Sequence, residues 1–355
     1  EIFSLLCRIN DELGIAIIMI EQRVDWRLHN IDRILFMEKG SIVFNGNIHD
    51  FFFTGREEYL TPVLKMARYL RLNTFPKSLK DIRRAARDAA PKVRGRVEFE
   101  SDTSQNSCIE LQGIKVSLEN NEILKGINLK IKSGEFVSVM GANGAGKTTL
   151  IKAICGLYRY EGSIKLGGSE VKKHKLKEIA SKIGYVSQNP NDYISKETVY
   201  DEIKFTLDNF NITDENRIAR VMDKLHLTEL KDRNPRDLSG GEKQRTAIAS
   251  VMVMLPEILI LDEPTRGMDL VLKNELGLLL KEMNAEGKTI ILVTHDMDFA
   301  AEFCTRHVLM FSGKIAAEGT IKEVMGDNLY YTTGINKIFR DINSDVFTLK
   351  QLERE

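Results

Sequence analysis

The sequence predicts an α/β fold built on a largely parallel sheet. Ile258–Leu261 and Ile290–Val293 are short, wholly apolar runs, the pattern of strands buried on both faces. Phe136–Met140 is a third apolar strand that runs straight into a glycine-rich loop. Lys147–Cys155, after that loop, reads as a helix. Strand, tight loop and helix in succession form the unit from which parallel sheets are assembled.

The other elements follow in chain order. Ile15–Ile20 is the longest apolar stretch and is strand-length, far short of the roughly 20 residues that span a bilayer. Any membrane role must therefore come through a partner. Ile109–Leu111 and Ile127–Ile131 alternate as edge strands do. Ile183–Val186 is a further strand, and residues from about Lys196 to Leu230 are mostly helical. Between Ile20 and Ile109, from Thr61 to Asn106, lies a basic stretch. Up to Arg96, Lys65, Arg68, Arg71, Lys77, Lys80, Arg83, Arg84, Arg87, Lys92, Arg94 and Arg96 face only Asp81 and Asp88. It carries no recognisable nucleic-acid module, so a solvated helical face near anionic lipid or a partner is expected rather than a nucleic-acid surface. Residues 102–107 read as a joint.

Length and charge bound the function. The 355 residues allow two domains, and Lys+Arg and Asp+Glu both total 51. Zero net charge argues against a general nucleic-acid binder. Cys7, Cys108, Cys155 and Cys304 have no metal-ligand or redox spacing, as expected of a reducing cytosol with no zinc. The first residue is Glu1, and no signal-peptide pattern follows it.

Residues 1–50 match residues 274–323 without a gap. Leu5-Leu6 falls on Leu278-Leu279, Gly14 on Gly287, Ile17-Ile18 on Ile290-Ile291, Arg33 on Arg306, Gly40 on Gly313, Gly46 on Gly319 and Ile48 on Ile321. The chain start is thus expected to be the end of a first domain whose front is missing. The expected division is residues 1–60 for that remnant, 61–107 for the basic segment and linker, 108–326 for a complete domain, and 327–355 for a tail.

Gly141-Ala142-Asn143-Gly144-Ala145-Gly146-Lys147-Thr148 fits the phosphate-loop pattern and sits between a strand and a helix, as that chemistry requires. Glycines let successive N–H groups turn toward phosphate oxygens, and the helix N-terminus adds a favourable dipole. Gly141, Asn143, Gly144, Ala145, Gly146, Lys147, Thr148 and Thr149 are the candidates to hold phosphate. Lys147 reaches the β and γ phosphates, and the Thr148 hydroxyl is a ligand for Mg²⁺. Ile258–Leu261 delivers Asp262 beside this loop to hold the metal, and Glu263 to polarise an attacking water.

Between these motifs, Leu238-Ser239-Gly240-Gly241-Glu242-Lys243-Gln244-Arg245 resembles the signature of ABC ATPases. The resemblance covers about Ile109 to Met325. It implies an ABC-type P-loop fold with a mixed central sheet, an antiparallel β subdomain and a helical subdomain. It also implies ATP and Mg²⁺ as ligands. Ser239, Gly240 and Gly241 would face the γ-phosphate held by a second ABC domain, in the same full-length chain or in a dimer. Ser239 with Glu242 is also a plain helix-capping box. The resemblance makes Gln188 a glutamine that senses Mg²⁺ and water, Asp269 part of the loop after the catalytic acid, and His295 the switch histidine. Gln188-Asn189-Pro190-Asn191-Asp192 and Glu263–Asp269 look like energy-coupling-factor ATPases, as does the tail Leu329–Asn336. These power import of vitamins or of cobalt and nickel at the cytoplasmic face of a membrane, through a transmembrane subunit.

Two departures stand out. The aromatic residue that stacks on adenine in the family has no counterpart in Val116–Asn120. In the first copy, Gln22 stands where His295 stands in the second, and it cannot titrate near neutrality. A slow or inactive first-domain site is expected. A soluble ABC ATPase acting on ribosomes or nucleic acid is the alternative, with the basic stretch in its favour. Thr294–Ala300 looks like the transporter form, which disfavours that alternative.

Overall fold

The computed structural model describes residues 2–38, 40–89, 106–119 and 121–352. Lys92, Arg94, Arg96, most of the 102–107 joint and Asn120 lie outside the described residues. The chain divides into two compact units: residues 1–98 with 269–271 and 332–355, and residues 99–268 with 272–331.

The first unit contains α1 (Ile2–Leu13), β1 (Ile34–Glu38), β2 (Ser41–Gly46), α2 (Ile48–Thr54), α3 (Pro62–Tyr69) and α4 (Leu79–Ala89). The second contains β3 (Ser107–Leu118), β4 (Asn121–Lys132), β5 (Phe136–Met140), α5 (Lys147–Ile154), β6 (Glu161–Leu166), β7 (Ser169–Glu170), α6 (Leu176–Lys182) and β8 (Ile183–Val186). It continues with α7 (Val199–Asn209), α8 (Glu215–Lys224), α9 (Gly240–Met252), β9 (Ile258–Asp262), α10 (Leu270–Ala285), β10 (Thr289–Val293), α11 (Met297–Phe303), β11 (Arg306–Phe311), β12 (Lys314–Gly319) and α12 (Ile321–Met325). The last helix, α13 (Gly334–Phe339), returns to the first unit.

In the second unit a six-stranded sheet has the order β12-β11-β5-β10-β9-β8. All neighbours are parallel except β12, which pairs antiparallel to β11. A separate antiparallel sheet has the order β4-β3-β6-β7. Residues 136–140, 258–262 and 289–293 are buried at every position. Apolar continuity is therefore matched by cover on both faces. One face packs with α5 and the antiparallel sheet in a core that includes Val137, Val139 and Leu150. The other packs with α7–α11 around Ile203, Ala247 and Leu280.

The first unit repeats the end of the second position by position. Ile34 pairs with Gly46 and Glu38 with Ser41, while His307 pairs with Gly319 and Phe311 with Lys314. Each hairpin carries its bulge at the same place, Phe36/Met37 and Leu309/Met310. Asn47 caps α2 through the Asp50 N–H, as Thr320 caps α12 through the Glu323 N–H. The surroundings differ. β11 lies beside β5, whereas β1 pairs with β2 alone among the described strands. Leu35 and Met37 are 53% and 62% exposed, while their counterparts Val308 and Met310 are fully buried. Ile15–Ile20, strand-length in sequence, forms no strand and is largely exposed. Its counterpart β10 is held between β5 and β9. A strand needs such neighbours to satisfy its peptide groups.

The segment set apart by its basic composition and the C-terminal tail share one core. Val63, Leu64, Ile82 and Ala86 pack with Ile335, Ile338, Phe339 and Val346. Arg83 donates to the Lys337 carbonyl, and Arg87 meets Asp341 at 3.0 Å. Arg68 donates to the carbonyls of Phe52 and Gly55 at the end of α2. Several of the cations that suggested a binding surface therefore have partners within the unit.

Candidate functional site

Four neighbouring strands end at one edge of the sheet, and their registers decide what meets there. Val293 of β10 pairs with Val139 of β5 and with Asp262 of β9, and Leu261 pairs with Val186 of β8. The loop after β5, Asp262 with Glu263, Gln188 and His295 are thereby brought to the same carboxyl edge, where ligands bind in open α/β sheets.

The glycine loop takes its shape from residues that other side chains cannot replace cheaply. Gly141, Gly144 and Gly146 have φ of 144°, 80° and 99°. A Cβ on Gly141 would stand 2.3 Å from the Met310 carbonyl oxygen. Gly146 forms the N-cap of α5, so Lys147, Thr148 and Thr149 open the helix with their N–H groups free of intrahelical partners. Asn143 and Gly144 are exposed, whereas Ala145 is buried. Buried Lys147 donates Nζ to the carbonyls of Gly141 at 2.8 Å and Ala142 at 3.2 Å, which fixes the ammonium across the loop.

Thr148 Oγ1 donates to Asp262 Oδ2 at 2.8 Å. The other oxygen, Oδ1, is buried without a hydrogen-bond partner among the described residues. Burial pushes the Asp262 carboxyl above its ordinary range, with the Thr148 bond opposing. A buried carboxylate oxygen with spare lone pairs beside a hydroxyl is the donor set a hard divalent cation takes. These residues fit Mg²⁺.

Glu263 is buried and adopts a left-handed φ of 51°, a conformation costly for a non-glycine residue and common at functional sites. Its N–H donates to the Val293 carbonyl at 2.8 Å, which turns the side chain toward the strand end. Glu263 Oε2 lies 2.6 Å from His295 Nδ1. The imidazole itself is 66% exposed, so the pair joins an interior carboxylate to the surface.

Ser239 caps α9, accepting from the Glu242 N–H at 3.4 Å, while Glu242 Oε2 accepts from the Ser239 N–H at 2.8 Å. The capping box expected from sequence is present. Gly240 is exposed at the helix start, whereas Gly241 is buried against Leu272. Among the described residues no hydrogen bond joins Ser239 to the phosphate loop. Asp269 groups with the first unit and not with the residues at this edge. Gln188 is exposed in the bend after β8.

Two features escaped the sequence reading. Lys273 on α10 meets Asp296 at 2.6 Å, directly after His295. The Tyr193 hydroxyl bonds to the backbone on both sides of Val186. Neither residue belongs to a spaced motif, and only the packed loop reveals them.

The model of the family described as ABC transporter matches residues 124–266. A protein of Clostridium tetani named as an ABC transporter ATP-binding protein is 40% identical over 345 residues, covering 96% of this chain and 78% of its own length. The chain belongs to the ABC transporter ATP-binding proteins. A Methanosarcina mazei protein of the same description is 33% identical over 352 residues, and this ABC chain spans only 59% of its length. Among solved structures, cbiO1 of Clostridium perfringens, described as part of the ABC transporter complex cbiONQ, aligns with TM-score 0.60 at 30% identity. That alignment covers 68% of this chain and 96% of cbiO1. A bacterial ABC transporter cassette solved as a dimer aligns with TM-score 0.55 at 30% identity, covering 60% of this chain and 98% of the cassette. This ABC chain is an ATPase that acts on ATP with Mg²⁺.

Proposed function

We propose that this ABC ATPase hydrolyses ATP at the carboxyl edge of its sheet and thereby powers a membrane importer of the energy-coupling-factor type. The observation that carries the chemistry is Glu263 Oε2 at 2.6 Å from His295 Nδ1, one residue beyond the Asp262–Thr148 pair. In this reading the loop residues 141–149 bind the phosphates, and Lys147 neutralises the β and γ groups. Glu263 takes the proton of the attacking water as its oxygen bonds to the γ-phosphorus. The bond to the β–γ bridging oxygen breaks and ADP leaves. His295 holds the Glu263 carboxylate in line through Nδ1. Mg²⁺ held by Thr148, Asp262 and Gln188 would supply charge neutralisation at the transferring phosphate.

Ser239, Gly240 and Gly241 serve the phosphate of a second ABC domain, and Asp269 belongs to that same joint. The matching hairpins, bulges and caps support reading residues 1–60 as the end of such a domain, with Gln22 in place of its switch histidine. The proposed location is the cytoplasmic face of a membrane, held there by a transmembrane subunit. Internal use of Arg68, Arg83 and Arg87 lowers the standing of a ribosome or nucleic-acid role.

The test is turnover by the full-length protein with Glu263→Gln and His295→Ala. Each is expected to lower kcat by roughly 10²–10⁴-fold while Mg-ATP binding persists. Wild-type turnover in either variant refutes the assignment.

A further inference from the structure

Gln188 lies two residues beyond the end of β8, and its side chain is exposed. Whatever fixes it must act through its backbone. The Tyr193 phenol donates to the Tyr185 carbonyl at 2.8 Å and accepts from the Ser187 N–H at 2.8 Å. One hydroxyl thus ties together the peptide groups bracketing Val186, where the strand ladder stops. Asp192 completes the closure, accepting from Ser187 Oγ at 2.8 Å and from Asn189 Nδ2 at 3.0 Å, the residues on either side of Gln188. Residues 187–193 therefore form a closed loop that presents Gln188.

The Tyr193 ring is packed against the helical core, together with Tyr200 and Leu230. The turn Pro190–Tyr193 lies against α9, whose first turn carries the Ser239 cap. At the other end of the network, burial of the Tyr185 phenol raises its pKa, and the charge of Asp262, which it faces, adds to the rise. Tyr193 touches the strand end, the loop and the helical layer.

We propose that Tyr193 is a positioning residue for Gln188, using its hydroxyl to set the glutamine's reach toward the metal and passing the placement of α9 to it. This rests on the reading of Gln188 as a residue that serves Mg²⁺. Replacing phenol by phenyl leaves the packing and removes both bonds. The polar groups of Tyr185 and Ser187 then lose a shared partner.

The experiment compares Tyr193→Phe, Gln188→Ala and the double variant in the full-length protein. It reads turnover against Mg²⁺ concentration at saturating ATP, ATP binding without Mg²⁺, and thermal melting. Tyr193→Phe is expected to raise the Mg²⁺ needed for half-maximal turnover by roughly five- to tenfold, as if about one hydrogen bond's worth of the two lost reached Gln188. Metal-free ATP binding should stay within about twofold of wild type, and the substitution should add nothing in the Gln188→Ala background. A lower melting temperature with an unmoved Mg²⁺ dependence would mean a merely structural role and overturn the proposal. Multiplying effects in the double variant would overturn it too. If Gln188→Ala alone leaves turnover and Mg²⁺ dependence unchanged, the reading of Gln188 falls first and takes the proposal with it.

Discussion

Replacing Lys273 by methionine should loosen the switch loop, and the structure sets the size of the effect. Lys273 Nζ lies 2.6 Å from Asp296 Oδ2, with side-chain exposures of only 16% and 18%. Removing one partner of a buried ion pair costs about 3–5 kcal/mol, because the remaining charge is stranded. Asp296 is not fully stranded, since its other oxygen accepts from the Phe299 N–H at 3.1 Å as the cap of α11. Residual solvent reduces the cost further, so about 2 kcal/mol is expected. For a unit of this size that is a fall of about 4–8 °C in melting temperature. Asp296 directly follows His295, so kcat should fall severalfold with little change in KM. The assay is a melting and turnover cycle with Lys273→Met, Asp296→Asn and both together. The reasoning is refuted if Lys273→Met melts within about 1 °C of wild type, or if its cost is the same in the Asp296→Asn background.

Two more outcomes follow from the geometry. His307 is fully buried against Ser138 Oγ at 2.8 Å, and burial lowers its pKa to about 4. Its proton is then bound more tightly by the unfolded chain. Stability is complete above the ordinary value near pH 6.5 and is lost progressively as pH falls from there toward about 4. The loss between pH 7 and pH 5 is about 2 kcal/mol, and denaturant titrations at both should show that it disappears in His307→Gln. Gly141→Ala places a methyl 2.3 Å from the Met310 carbonyl at a φ of 144°. The loop must shift, so Mg-ATP affinity should fall at least about tenfold in a direct binding titration, and an unchanged affinity would contradict the role given to this backbone.

Much of the second unit was legible in residue order because its signals are local. Residues 136–140 and 183–186 are strands as expected, since apolar runs bounded by glycine and polar residues leave little else to form. The loop 141–148 announced itself through glycines whose positive φ values only that residue adopts readily. Ile15–Ile20 carried the same apolar signal and yet forms no strand, because pairing depends on neighbours rather than on composition.

By itself the sequence determined six strands of the second unit, the phosphate loop, the capping box at Ser239, the family resemblance and the duplicated segment, all of which depend on spacing along the chain. Only the tertiary structure decided that Glu263 rests on His295, that Lys273 holds Asp296, and that one tyrosine hydroxyl closes the loop of Gln188. It also decided that the basic segment and the tail share a single core. Those contacts join residues that no periodicity relates, and they exist only because parallel strands in register deliver distant loops to one edge of the sheet.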